Sequence, residues 1–384
     1  MTTSSGASLT TIEDFRRRAK ELLSSEGWSF YNDASGRRST FRDSMAAFDR
    51  YVIRPRILRD ITQRSLSTTV LGQPISMPIC VAPTAAQQFA HPDAEAASAK
   101  GTAEAETLFI MSSFASVSIA EVRRAAPGGL RWMQLYLFKD RRFAEHVVKE
   151  AEREGFKAIV LTVDLPLWGD YSFFRSSHAT SASRYYYDPS LRPTNLAIDI
   201  PEVHDAIRSG DVNLRHYLAQ QFNSPKTWDD ITWLKSITSL PIVLKGILTG
   251  EAAMEAADAG VSGIIVSAHG GRHMDGVPAP IDVLEEVVSA VKGRGVEVYM
   301  DGGVRSGTDA LKALGLGARA VLIGRPALWG LACDGPAGVT KVLSILRFEL
   351  ETALGISADR KLGGTRMPLL FIRKQSGTSE LVKT

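Results

Sequence analysis

The stretch "SAHGGRHMDG", Ser267 to Gly276, directly follows the short apolar run "GIIV" and sets two histidines, an arginine and an aspartate among glycines. Imidazole can take up a proton near neutral pH, and a guanidinium three residues on offers a rigid, planar fork to a carboxylate. A base beside a carboxylate clamp suits a substrate whose reacting C–H lies next to its carboxylate. His269 is read as that base, Arg272 as that clamp and His273 as structural.

Other reactive types stand where further apolar runs stop. "PIVLKG" ends on Lys245, "AIVLTVD" on Thr162 and Asp164, and "LRWMQLY" on Gln134 and Tyr136. "PICVAP" leads to Thr84 and Ala85, and "TLFIMSS" to Ser112 and Ser113. "EVYMDGG" and "AVLIGRP" end on Asp301 with Gly303 and Arg305, and on Gly324 with Arg325. Glycines there let backbone N–H groups approach an anion, and the two arginines add charge, so this pair of clusters predicts a phosphate site.

The elements that must carry these residues are eight short, β-branched runs from about Pro78 onward. Helical stretches such as "DAEAASAKGTAEAE", "AEHVVKEAEREG", "GEAAMEAADAG", "IDVLEEVVSAVKG" and "GTDALKALGLG" lie between them. Strands alternating with helices pair in parallel through right-handed crossovers, and eight such units predict an α/β fold, a (β/α)₈ TIM barrel. A doubly wound open sheet is the alternative, but no G-x-G-x-x-G follows the first strand. In the barrel the strand ends share one rim, which is where the polar residues collect.

The barrel is expected over about 78–355 within one domain spanning 1–384. An N-terminal helical segment precedes it: "TIEDFRRRAKELL", capped by Thr10 or Thr11, and a second helix around "FRDSMAAFDRYV". One long excursion after strand four, about 165–230, is too long for a simple crossover and is expected over the barrel mouth.

Composition excludes several classes. A net charge of +3 and the lack of a dense Lys/Arg tract give no nucleic-acid footprint. No apolar run is long enough to span a bilayer, and the N-terminus has no apolar signal core, so an intracellular protein is expected. Cys80 and Cys333, far apart in apolar sequence, read as buried thiols of a reducing compartment, and no metal site is expected. The final Val-Lys-Thr does not match the Ser-Lys-Leu peroxisomal address, which leaves cytoplasm or peroxisome open.

Together "APTAAQQFAHPDAE", "QLYLFKDR", "AIVLTVDLP", "KGILTGEAA", "SAHGGRHMDGVPAPIDVLEEV" and "DGGVRSGTDALKALGLGARAVLIGRPALWGLA" make the chain resemble the FMN-dependent 2-hydroxy acid oxidase family, from about Ile12 to Gly355. That family includes glycolate oxidase and the long-chain hydroxy acid oxidases. "APGGLRWMQLY", "SSFAS" and "GRPALWGLACDG" lean toward the long-chain branch. The resemblance implies FMN as cofactor, with His269 as base, Asp164 bonded to it, and Arg272 and Tyr136 on the substrate. It implies Lys245 near flavin N1; Thr84, Ala85, Ser112, Gln134 and Thr162 along the flavin; and Asp301, Gly303, Arg305, Gly324 and Arg325 on the ribityl phosphate. Relatives of this kind are commonly tetrameric, so a homotetramer is expected.

Four positions depart from the family pattern. Ala268 stands where an asparagine usually precedes the catalytic histidine, and Tyr171 where a second arginine is common. Asn32 replaces a tyrosine, with Tyr31 adjacent, and Phe114 replaces a tryptophan frequent in glycolate oxidases. Phe114, Tyr31 and Tyr171 are therefore expected to shape the substrate pocket. The resulting expectation is oxidation of an (S)-2-hydroxy acid, medium or long in chain rather than glycolate, with O₂ reduced to H₂O₂. A quinone- or carrier-linked dehydrogenase and a flavin-binding protein with little turnover are the alternatives.

Overall fold

The structure, a computed structural model, describes residues 9–55, 57–58, 60–62, 64–165, 194–196, 226–357 and 370–372. Strands β1 (Ile79–Val81), β2 (Leu108–Met111), β3 (Leu130–Leu135), β4 (Ile159–Thr162), β5 (Ile242–Ile247), β6 (Gly263–Val266), β7 (Glu297–Asp301) and β8 (Ala320–Ile323) form a closed barrel. Each pairs in parallel with the next, and β8 returns to β1 with Val321 opposite Ile79, so the open-sheet alternative is excluded. Helices α1 (Ala94–Glu104), α2 (Ile119–Ala125), α3 (Arg141–Arg153), α4 (Asp229–Ile237), α5 (Gly250–Asp258), α6 (Pro280–Ala290), α7 (Gly307–Gly315) and α8 (Arg325–Ile356) follow their strands. Local sequence starts them: Ser118 with Glu121, and Ser306 with Asp309, form reciprocal caps, and Pro280 opens α6 where no donor is needed.

The two-residue period of the strands decides what reaches the site. Ile110, Trp132, Val160, Val243, Ile265, Tyr299 and Leu322 belong to the smaller of two buried apolar clusters, which fills the barrel interior. Their strand neighbours Phe109, Met133, Ile159, Leu244, Ile264, Met300 and Val321 belong to the larger cluster beneath the helices. Two residues beyond the interior set, on the same face, stand Ser112, Gln134, Thr162, Lys245, Ser267, Asp301 and Gly324. The barrel thus has an apolar floor and a polar upper layer.

Thr11 caps the first helix, Ile12–Leu22, in a reciprocal box with Asp14, and buried Ile12, Phe15 and Ala19 seat it against α8. A short helix, Ser25–Asn32, follows that the sequence reading did not separate. The helix expected around "FRDSMAAFDRYV" stops at Ala46; a 3₁₀ turn, Ala47–Arg50, leads to an extended Tyr51–Ile53 paired antiparallel with Leu370–Ile372. Aromatic and β-branched residues favour extension there, and the buried Tyr51 hydroxyl is tied to the Ile281 carbonyl and to Asp282. A hairpin, Thr68–Val70 with Gln73–Ile75, also precedes the barrel; its Val70 and Ile75 join the interior cluster and Leu71 N–H bonds Glu297 at the start of β7.

Most of the excursion after β4 lies outside the described residues, and Tyr171 with it. Its described turn, Thr194–Leu196, sits on the loop after β2, where Asn195 accepts from Ile119 N–H and donates to the Val117 carbonyl. Cys80 is buried as expected, whereas Cys333 is only partly so.

Candidate active site

A cavity of roughly 730 Å³ opens at the C-terminal mouth of the barrel, within the size range of cofactor sites. Every site residue expected from the sequence borders it except Tyr171, which lies outside the described residues. On one wall, Gln134 links the upper layer: its amide donates to Thr162 Oγ1 (3.0 Å) and its carbonyl accepts from Ser113 N–H (3.0 Å). Ser112 Oγ lies 3.4 Å from the same carbonyl, and Thr84 accepts from Gln87 at 2.8 Å. Ala85 lies beside Thr84 on the rim.

Lys245 is buried, with Nζ 2.8 Å from Ser267 Oγ and 3.1 Å from Asp301 Oδ2. Ser267 also accepts from the His269 backbone N–H (3.0 Å). Ser267 was missed in the sequence, although counting by twos from interior-facing Ile265 finds it.

His269 sits at the start of a 3₁₀ turn, His269–Gly271, with φ of 51°, a conformation that costs a non-glycine residue energy and is held by the surroundings. Its Nδ1 lies 3.0 Å from Asp164 Oδ1. Asp164 packs against Gly246, whose φ is +114° and where a Cβ would come within 2.5 Å of the aspartate Cβ. Burial raises the Asp164 carboxyl, but the imidazoles of His269 and His273 outweigh that and hold it well below the usual carboxylate range. Burial, then His273, pulls His269 down to about 3, with Asp164 opposing. The resting pair is therefore a carboxylate and a neutral imidazole.

His273, read from the sequence as structural, stands beside the same carboxylate. Its Nδ1 lies 2.9 Å from the Asp164 carbonyl oxygen and 3.2 Å from Oδ1, because the turn after His269 brings its ring back over the same strand end.

The N-terminal segment latches this loop. Ser35 N–H bonds the Gly271 carbonyl and Ser35 Oγ the Arg272 carbonyl. Helix Ser39–Ala46 lacks a cap of its own; Asp275 supplies one, accepting from Thr40 N–H (2.9 Å), Ser39 Oγ (2.7 Å) and Arg37 N–H (2.8 Å). Arg272 donates to the Phe30 carbonyl (2.7 Å) and borders the cavity beside Phe30 and Tyr31. Tyr31 lines the wall, and its hydroxyl is committed to the Ala86 carbonyl (2.7 Å); Asn32 bonds Trp28 and is not among the lining residues. Phe114 and Tyr136 meet with ring centroids 5.6 Å apart.

At the β7–β8 side Gly303 and Gly324 line the cavity with Arg305 and Arg325. Gly303 is obligatory, because a Cβ there would lie 1.9 Å from the Ser44 carbonyl oxygen. Burial pulls Arg325 well below its ordinary value, and Arg272, Arg305 and Arg38 repel it further; burial takes Arg305 to about 10. Cations gathered this way call for an anion, and the buried Asp301 Oδ1, without a partner among the described residues, calls for a donor. FMN, an anion with a hydrogen-bonding ring, fits this set of groups.

Comparison with known proteins agrees with the geometry. The model of the FMN-dependent dehydrogenase family matches residues 19–365. The chain is 46% identical to 2-hydroxyacid oxidase 1 of Mus musculus over 350 residues, covering 91% of this chain and 93% of the relative. It is 44% identical to glycolate oxidase of Spinacia oleracea over 355 residues, 92% and 93% of the two chains. A crystal structure of mandelate oxidase superposes with a TM-score of 0.81 at 36% identity, covering 93% of this chain and 96% of the other. With the barrel, the cationic cradle and this match along most of its length, the chain belongs to the FMN-dependent dehydrogenase family.

Proposed function

We propose that this FMN-dependent 2-hydroxy acid oxidase acts on (S)-2-hydroxy acids with a medium or long side chain in preference to glycolate, passing the electrons to O₂ to give a 2-oxo acid and H₂O₂. Arg305, Arg325 and the backbone at Gly303 and Gly324 would hold the FMN phosphate, with Asp301 beside them; Thr84, Ala85, Ser112, Gln134 and Thr162 would hold the ring. When bound, FMN supplies the two-electron acceptor. Lys245 would offset negative charge that builds on that ring. Arg272 and Tyr136 would hold the substrate carboxylate and hydroxyl. Asp164 fixes His269 with Nδ1 protonated, leaving Nε2 to take a proton as the substrate is oxidised. A homotetramer belongs to this reading by resemblance to the family.

The observation that carries the chain-length preference is the aromatic wall beside Arg272: Phe30 and Tyr31, with centroids 5.5 Å apart, and Phe114 against Tyr136. Such a surface gains from each buried CH₂ about 0.8 kcal/mol, roughly fourfold in affinity. A mandelate oxidase mutant with (S)-mandelic acid, an aryl 2-hydroxy acid, is a structural relative at 35% identity. Steady-state kinetics with glycolate, mandelate and 2-hydroxyoctanoate tests this. The expected order of kcat/KM puts glycolate last, and a kcat/KM for glycolate above that for 2-hydroxyoctanoate contradicts the preference.

A further inference from the structure

Two imidazoles share one carboxylate oxygen in this site. Nδ1 of His269 and Nδ1 of His273 lie 3.0 Å and 3.2 Å from Asp164 Oδ1. His273 Nδ1 is also 2.9 Å from the Asp164 backbone carbonyl oxygen, which can only accept. Nδ1 of His273 therefore carries a proton and donates, and the ionised Asp164 sets the same tautomer on His269. The two rings overlap, with centroids 3.7 Å apart and planes inclined by 37°.

We propose that His273 is a positioning residue for the proton transfer: by donating to Asp164 alongside His269 it divides one carboxylate between two imidazoles and keeps the neighbouring base neutral.

The two imidazoles compete for the charge of one carboxylate. A carboxylate that stabilised only His269 would favour its protonated form strongly. The His273 N–H bonds the Asp164 carbonyl oxygen and lies 3.2 Å from Oδ1, so its positive end faces the oxygen that accepts from His269 and leaves less of that charge for His269. A proton on His269 would also lie against a second imidazole at stacking distance, so the two rings cannot both hold a charge cheaply. The other groups facing His269 act in the same sense or are already paired. Lys245, from β5, repels a cation and is bonded to Asp301 of β7. Arg272 lies on the same loop, and Arg325, from the start of α8, bonds the Gly270 carbonyl. Asp164, from the end of β4, is the one group among these that favours charge on His269, and His273 occupies it in part. A His273 that served only as packing would need neither the bond to the Asp164 carbonyl nor the approach to Oδ1.

The proposal rests on the reading of His269 as the base, and the two fail separately. The test is the pH dependence of kcat/KM of the FMN-loaded enzyme with a 2-hydroxy acid. His273→Phe keeps the stacked ring and removes the donor; its acidic limb should move toward neutral pH by about one unit, the lower end of what a neighbouring charge does. His273→Gln restores a donor without an imidazole, and its limb should return close to that of the parent. An unmoved limb in His273→Phe, or a limb in His273→Gln displaced as far as in His273→Phe, overturns the proposal. Nitrogen NMR of histidine-labelled holoenzyme is a second readout, with Nδ1 protonated on His273 at neutral pH expected and the Nε2-protonated form contradicting it. Failure of the base reading looks different: His269→Gln would then turn over normally, whatever the His273 variants do.

Discussion

Lys245, on β5, reaches past Ser267, the residue just after the neighbouring β6, to Asp301 at the end of β7, with Nζ 3.1 Å from Oδ2, and both side chains are buried. A buried ion pair this enclosed joins three strands at the level where the ring of FMN is expected. Losing one partner leaves the other charge stranded, which costs roughly 3–5 kcal/mol. Lys245→Met should therefore lower the melting temperature. It should also lose most of the protein's affinity for sulfite, followed by bleaching of the flavin absorbance, because the positive charge beside the ring is gone. Equal sulfite affinity in both proteins would remove Lys245 from the flavin.

Gly246→Ala should separate geometry from folding. An added Cβ would meet Asp164 at 2.5 Å from a backbone φ of +114°, so the carboxylate must shift away from His269. A misplacement of about 1 Å costs on the order of 10²-fold in rate. Substrate-driven flavin reduction should slow by that order while FMN content stays near that of the parent. Parent-like reduction in a folded Gly246→Ala protein would show that the position of Asp164 does not matter.

Arg325→Ala should weaken FMN binding. A charge-assisted bond contributes about 1.5–3 kcal/mol, or roughly tenfold to a hundredfold in Kd. Reconstitution of the apoprotein, followed by quenching of flavin fluorescence, measures it. Arg325 also bonds the carbonyls of Tyr31, Gly270 and Asp33, so Arg325→Lys is the control that keeps the charge. An unchanged Kd in Arg325→Ala would move the phosphate elsewhere.

Much of this site was legible from chain order alone. The eight apolar runs end where the strands end, and the polar residue closing each run reaches the rim because strands alternate by two and floor residues such as Trp132 and Tyr299 fix which face is interior. Ser267 obeys the same count but was hidden by its conspicuous neighbours. His273 could not be placed, because its contact with Asp164 depends on a turn with positive φ at His269, Gly270 and Gly271. The role of Asp275 as a cap for a helix more than two hundred residues earlier is a tertiary contact with no local signature. Tyr51 and Val52 read as helix because the strand partner of this segment, Leu370–Ile372, lies at the far end of the chain.

Glu95, fully buried in α1, accepts from Gln87 N–H and Ser116 N–H and so ties together the loops after β1 and β2. Burial raises its carboxyl from 4.5 to about 7, against those hydrogen bonds. A group whose folded value is raised gives stability that is fully present below its unfolded value and lost as pH rises through the folded one. The difference corresponds to about 3 kcal/mol, lost between about pH 4.5 and 7. The melting temperature should decline over that window, and Glu95→Gln should flatten the decline. An identical slope in both proteins would show that Glu95 does not titrate there.

The central claim is that His269 takes the substrate's proton while Asp164 holds its ring. His269→Gln keeps hydrogen bonding but cannot accept that proton, and the measurement is flavin reduction by stopped flow, without oxygen, at saturating 2-hydroxy acid. The account predicts a fall of at least about 10²-fold in the reduction rate, the usual scale for loss of a general base. Reduction at close to the parent rate would contradict it and move the base to another group, with His273 the first to examine.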